Sequence, residues 1–233
     1  MEIHQVPSTS GPVHDQVRGV VFDYGGVLTT PVGESIRAWI ARDAIDPQSF
    51  SRTIKSWLSR DAPRGTPIHR LELGEIDGET FNGLLAERLV HEDGSSVAAE
   101  GLLEKVFSGV RPDPEMIALV EQVSGSGVQV ALLSNSWGNG GYHWELVDRL
   151  FAHVVISGRV GVRKPEPEAY GLILDSMGLA PSEVVFVDDA EPNVEGARRV
   201  GMHTVHHLTA VGTRAALGAL IPALSTSTPQ ESR

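Results

Sequence analysis

Six side chains draw attention because each sits at or just beyond the end of a short apolar run and each has a chemistry of its own. Asp23 ends residues 17–23 (VRGVVFD) and is followed by Gly25 and Gly26, which let the backbone turn sharply and approach a ligand. A carboxylate so placed can serve as a nucleophile, or simply cap a turn. Ser134 and Asn135 end the run 128–134 (VQVALLS). Their hydroxyl and amide can donate to an oxyanion, or cap a helix. Lys164 lies between Arg163 and Pro165, beyond the run 153–157 (HVVIS). Its ammonium is a compact point charge suited to phosphate. Asp188 and Asp189 close the run 183–188 (EVVFVD). Adjacent carboxylates at the end of a buried strand repel each other unless something neutralises them, and hard oxygen ligands suit Mg²⁺. Singly, each has a bland structural explanation. Together they deliver a nucleophile, an oxyanion donor, a cation and a metal-binding acid pair.

The elements that must hold them read as alternating strand and helix. The four runs above, with a weaker fifth at 203–206 (HTVH), are short and almost continuously apolar, as strands covered on both faces are. Helical spacing fills the gaps. Residues 114–123 follow Asp113, an N-cap with proline at the first helical position. Residues 167–177 stop before Gly178 and residues 193–200 before Gly201. This predicts an α/β fold, a Rossmann-like doubly wound parallel sheet, whose ligands bind beyond the carboxyl ends of the strands. One interval breaks the rhythm. Residues 33–110 look all-helical, with apolar positions at Ile36, Trp39 and Ile40, at Ile54, Trp57 and Leu58, and at Phe81, Leu84 and Leu85. They are too long for a crossover and read as an inserted all-α cap domain. The expected organisation is therefore a core of 18–32 and 111–224, a cap of 33–110, and disordered tails at 1–17 and 225–233.

Composition removes several classes. With no cysteine, disulfide scaffolds, cysteine nucleophiles and cysteine-based zinc sites are excluded. A net charge of −11 without a Lys/Arg cluster argues against a nucleic-acid partner. No apolar run approaches the roughly 20 residues of a spanning helix, and the first residues lack the basic and apolar regions of a secretory signal. A cytoplasmic protein without a membrane partner, a monomer or homodimer, is expected. His206 and His207 read as a surface turn.

Four segments resemble the motifs of the haloacid dehalogenase superfamily of hydrolases, over roughly residues 18–206. They are Phe22–Leu28, Leu133-Ser134-Asn135, Arg163-Lys164-Pro165, and Val187-Asp188-Asp189-Ala190 with Asn193 behind it. The segment 71–81 (LELGEIDGETF) is similar to the cap of the subgroup that holds epoxide hydrolase phosphatase domains and bacterial sugar-phosphate phosphatases. The resemblance implies a Mg²⁺-dependent phosphatase acting on small phosphorylated metabolites, sugar phosphates among them. Asp23 would form an aspartyl-phosphate. Ser134, Asn135, Lys164 and Gly26 would bind the phosphoryl group. Asp23, the Gly25 carbonyl, Asp188 and Asp189 would hold the metal.

One residue departs from the pattern. Most phosphatases of this family carry a second aspartate two residues after the nucleophile, to protonate the leaving group; here it is Gly25. His69, Glu72 and Glu75 are the cap groups that could supply a proton, with salt bridging the commoner role for each. Two other readings stay open: a metal-independent 2-haloacid dehalogenase, against which the acid pair argues, and a catalytically weak domain that binds a phosphometabolite or a protein.

Overall fold

The computed structural model describes residues 16–59, 63, 65–138 and 141–225. The expected tails lie outside the described residues except for residues 16, 17 and 225. Five parallel strands form one sheet: β1 (Gly19–Phe22), β2 (Gln129–Ser134), β3 (His153–Ile156), β4 (Val184–Asp188) and β5 (His203–His206). Their spatial order is β3-β2-β1-β4-β5. The central strand β1 is thus flanked by β2 and β4, which leave it in opposite directions. Helices α1 (Val32–Arg42), α2 (Pro47–Leu58), α3 (Pro67–Glu72), α4 (Gly78–Ala86) and α5 (Leu102–Phe107) separate β1 from α6 (Pro114–Gly125) and β2. The remaining helices are α7 (Trp144–Leu150), α8 (Ser157–Val160), α9 (Pro167–Met177), α10 (Glu191–Arg199), α11 (Ala210–Leu220) and α12 (Pro222–Ser225).

Strand alternation explains the two-faced sheet. Val20, Phe22, Val130, Leu132, Val185 and Val187 point to one apolar cluster, which includes Met116, Leu119 and Val120 of α6, Val147 of α7 and Leu217 of α11. Val21, Ala131, Leu133, Val184 and Phe186 point to the other, with Ala169, Tyr170 and Ile173 of α9 and Ala197 of α10. The expected punctuation operates: Asp113 accepts from the N–H groups of Glu115 and Met116 at 2.9 and 3.0 Å, and Gly178 ends α9 in the left-handed conformation. Among the described residues no helix is long and apolar enough to cross a membrane.

The helices between β1 and α6 bury a cluster of their own around Trp39, Trp57, Ile68, Phe81 and Leu85. Two details differ from the periodic reading. Leu58, the last residue of α2, is exposed, and residues 87–101 hold no helix, only isolated bridges such as Ile45 with His91 and Val90 with Ser96. Two crossings join this block to the sheet side by side, with Thr30 N–H donating to Arg111 O at 2.8 Å and Asp113 N–H to Leu28 O at 2.9 Å.

Candidate active site

Register places the chemistry. Phe22 pairs with Leu132 on one side and Val187 on the other, so Asp23, one residue further, stands level with the ends of β2 and β4. Asp188 is fully buried and Asp23 nearly so. Lys164, itself 1% exposed, reaches between them: its Nζ lies 2.7 Å from Asp23 Oδ1 and 2.6 Å from Asp188 Oδ2, with the Phe186 ring 5.4 Å away. Asp188 Oδ1 also accepts from Ala190 N–H at 2.8 Å, and both its oxygens accept from Asn193 Nδ2 at 3.1 Å. Asp188 is thereby immobilised by the loop and helix that follow it.

Asp189 completes an acid cluster. Ligand oxygens of Asp23, Asp188 and Asp189 all lie within 4.8 Å of one another. Three carboxylates face one ammonium, so two negative charges are left over. Burial, then Asp188 and Asp189 against the opposing pull of Lys164, pushes the Asp23 carboxyl up to about 7. Burial and then the Asp188 charge also raise Asp189. Two surplus negative charges and a set of hard oxygen ligands fit a divalent cation such as Mg²⁺.

The two glycines after Asp23 do different things. Gly26 has φ +78°, and a Cβ there would lie 2.3 Å from Asp189 Oδ2, so only glycine lets the carboxylate fold against this turn. Its N–H donates to Thr29 Oγ1 at 3.0 Å, and the residue is not among those lining the cavity described below. Gly25 does line the cavity. A Cβ on it would meet only Val32 Cγ2, at 3.6 Å, so the missing aspartate is not excluded by space.

Asn135 is a strut. Its Nδ2 donates to Lys164 O at 3.0 Å and its Oδ1 accepts from Lys164 N–H at 2.9 Å, locking the Lys164 backbone to the end of β2. Ser134 Oγ accepts from the Tyr142 hydroxyl at 2.9 Å, and its own proton makes only a long contact, 3.4 Å to Asn135 O, which an anion could replace. Tyr142 stacks against Tyr24 at 4.7 Å between ring centroids, and the Tyr24 hydroxyl accepts from His143 N–H. Nothing in the spacing of Tyr142, eight residues past Ser134, marked it as a partner.

A cavity of about 370 Å³ opens above this floor, lined by Asp23, Gly25, Ser134, Lys164 and Asp189 below and by helices of the cap above. Of the cap groups suggested as proton donors, Glu72 lines it. Glu72 is buried and receives Arg163 Nε at 2.5 Å. Burial outweighs that arginine and raises its pKa. Ser157 Oγ donates to Glu72 O at 2.5 Å, and a Cβ on Gly74 would meet Gly158 O at 2.5 Å. This corner fastens the cap to the core. Glu75 instead pairs with Arg70 at 3.7 Å. His69 is held below its usual range, first by partial burial and then by Arg163. Of the histidine pair, His207 is not a surface residue: it is buried and its Nδ1 bonds Thr213 Oγ1 at 2.8 Å.

A model of the haloacid dehalogenase-like hydrolases matches residues 17–201. The sesquiterpene phosphatase astK of Aspergillus oryzae is 27% identical over 203 residues, spanning 84% of this chain and 92% of its own length. Acyl-CoA dehydrogenase family member 10 of Mus musculus is 30% identical over 192 residues, 81% of this chain but only 18% of that protein. The fold is shared with a haloacid dehalogenase-family enzyme of Bacteroides thetaiotaomicron in complex with magnesium and inorganic phosphate, at TM-score 0.61 and 21% identity over 81% of this chain and 93% of that one.

Proposed function

This chain belongs to the haloacid dehalogenase-like hydrolases, and on that premise we propose that it is a Mg²⁺-dependent phosphomonoester phosphatase with Asp23 as nucleophile. The observation that carries the reading is the charge imbalance at the floor, where, among the described residues, one ammonium, that of Lys164, faces Asp23, Asp188 and Asp189. A metal-independent dehalogenase would have to hold these three clustered carboxylates beside one ammonium with no further cation to offset their repulsion. The similar sesquiterpene phosphatase of Aspergillus oryzae supports the same choice.

Asp23 Oδ attacks phosphorus, the bond from phosphorus to the ester oxygen breaks, and an aspartyl-phosphate forms. Water then attacks phosphorus, releasing phosphate and restoring the carboxylate. Lys164 fixes Asp23 through Oδ1 and offers its charge to the phosphoryl oxygens. Ser134, whose oxygen already accepts from Tyr142, donates its proton to one of them. Asp23, the Gly25 carbonyl and Asp189 would hold Mg²⁺, with Asp188 behind them. When bound, the ion supplies positive charge to the phosphoryl group and offsets the carboxylate repulsion. Without a carboxyl at Gly25, the leaving group departs unaided or takes a proton from the cap side.

Acetyl phosphate needs no protonation of its leaving group and is the first substrate to try. Phosphate release that requires Mg²⁺ and stops in EDTA is the expected result. Halide release from a 2-haloacid in EDTA, without phosphate release, would replace this reading with the dehalogenase.

A further inference from the structure

The cavity's upper wall says what kind of leaving group it receives. Among the described residues, the cap contributes Leu103, Phe107 and Val110 to the lining, with Val32 at the cap's entrance. Its only polar side chains there are the carboxylates of Glu72 and Glu104; it brings no hydroxyl, amide or cation. Trp137, from the loop after β2, closes the wall by reaching into the cap's apolar cluster. Its ring lies 5.4 Å from Phe107 and 6.5 Å from Phe81, edge-on to both.

Two exclusions follow. Among the described residues the one cationic side chain in the lining is Lys164, and it is already shared by Asp23 and Asp188. A second phosphate or a carboxylate on the substrate would find no further counter-charge among those residues and would face Glu104. A polyhydroxylated body would meet mainly Leu103, Phe107, Val110 and Trp137, with Glu104 and the Arg163-paired Glu72 as the cap's only acceptors among the described residues, so each hydroxyl group that loses water beyond their reach costs about 1–3 kcal/mol. An apolar body gains where the sugar loses.

Resting on the phosphatase reading for its charged end, we infer that the substrate is the monophosphate ester of a neutral, apolar alcohol, not a sugar phosphate, a nucleotide or a bisphosphate. The phosphate sits on Ser134 and Lys164, and the hydrocarbon lies against Phe107, Val110 and Trp137.

The test separates binding from turnover. Ethyl-, butyl-, hexyl- and octylphosphonate are titrated calorimetrically into the full chain with Mg²⁺, beside glucose 6-phosphate and a nucleoside monophosphate. Acetyl phosphate hydrolysis is assayed in parallel. Affinity is expected to rise about fourfold per added methylene until the cavity is full, with glucose 6-phosphate no tighter than ethylphosphonate. Phe107→Ser and Val110→Thr should each weaken octylphosphonate by about tenfold and leave ethylphosphonate unchanged. If either variant misfolds, the wild-type chain-length series decides alone. A flat series in a protein that hydrolyses acetyl phosphate, or tighter binding of the sugar phosphate, overturns the inference and spares the phosphatase. A rising series without acetyl phosphate hydrolysis leaves the apolar wall standing and removes the phosphatase.

Discussion

At the floor of the cavity Asp23, Lys164 and Asp188 are buried and their charges touch at 2.6–2.7 Å. At its wall Phe107, Val110 and Trp137 are only partly buried and make no such fixed contacts. The floor is a set of charges whose positions are over-determined by strand ends, by the Asn135 strut and by Asn193. The wall is shape and apolar surface, assembled from one core loop and a separate helical block. Changes at the floor should therefore alter the rate of chemistry for every substrate. Changes at the wall should alter which substrate is bound.

The largest effect belongs to the nucleophile. Asp23→Asn should lower acetyl phosphate turnover at least about a thousandfold in a phosphate-release assay, with little change in fold by circular dichroism. Lys164→Met comes next. It removes the cation held between two buried carboxylates and should lower kcat by about 10²–10³-fold. It should also destabilise the metal-free protein by about 3–5 kcal/mol in urea denaturation. Either variant behaving like wild type would remove the distinction between floor and wall.

Gly25→Asp sharpens the comparison from the other side. Only Val32 approaches the new Cβ, at 3.6 Å, so the backbone tolerates the side chain's first atom. Turnover of an alkyl phosphate should rise about tenfold to a hundredfold, within the range a general acid contributes, while acetyl phosphate should change little. No gain on the alkyl ester would mean that a cap group already supplies the proton, Glu72 being the nearest candidate in the lining.

The smallest effect is on stability, and its sign follows from Asp23. In the metal-free fold its pKa is pushed up from 3.8 to about 7, so between those values the native state holds a proton that the unfolded chain has lost. Its contribution to stability therefore falls as pH rises from about 4 to 7. In EDTA the melting temperature should drop across that window more steeply for wild type than for Asp23→Asn. Mg²⁺ at pH 7.5 should raise it in wild type and less in Asp189→Asn.

The same contrast decides what could be read from the sequence. Asp23, Ser134 and Asp188 each end a β-branched apolar run, and parallel register carries strand ends to one edge, so the sheet and most of its floor were legible residue by residue. The wall was not. Helical periodicity marked Trp39, Trp57 and Phe81 as cap core, and they are buried there, but it could not show that Phe107 and Val110 line the same cavity as Asp23. Nor could it show that Trp137 crosses from the core into the cap. Those facts depend on how helices pack, not on their period. Leu58 keeps the spacing of its helix but is its last residue and is exposed. Gly26 was legible as a tight turn, but its reason, the Asp189 carboxylate 2.3 Å from where a Cβ would stand, is a tertiary contact. Tyr142 reaches Ser134 through a loop whose path leaves no trace in spacing.

One measurement tests the central claim most directly. The full chain is mixed with acetyl phosphate and Mg²⁺, quenched in acid within a turnover, digested and analysed by mass spectrometry. A phosphoryl group on Asp23, absent from Asp23→Asn, is the predicted result. A protein that hydrolyses acetyl phosphate in Mg²⁺ at full rate while Asp23 stays unmodified, and continues to do so as Asp23→Asn, would contradict it.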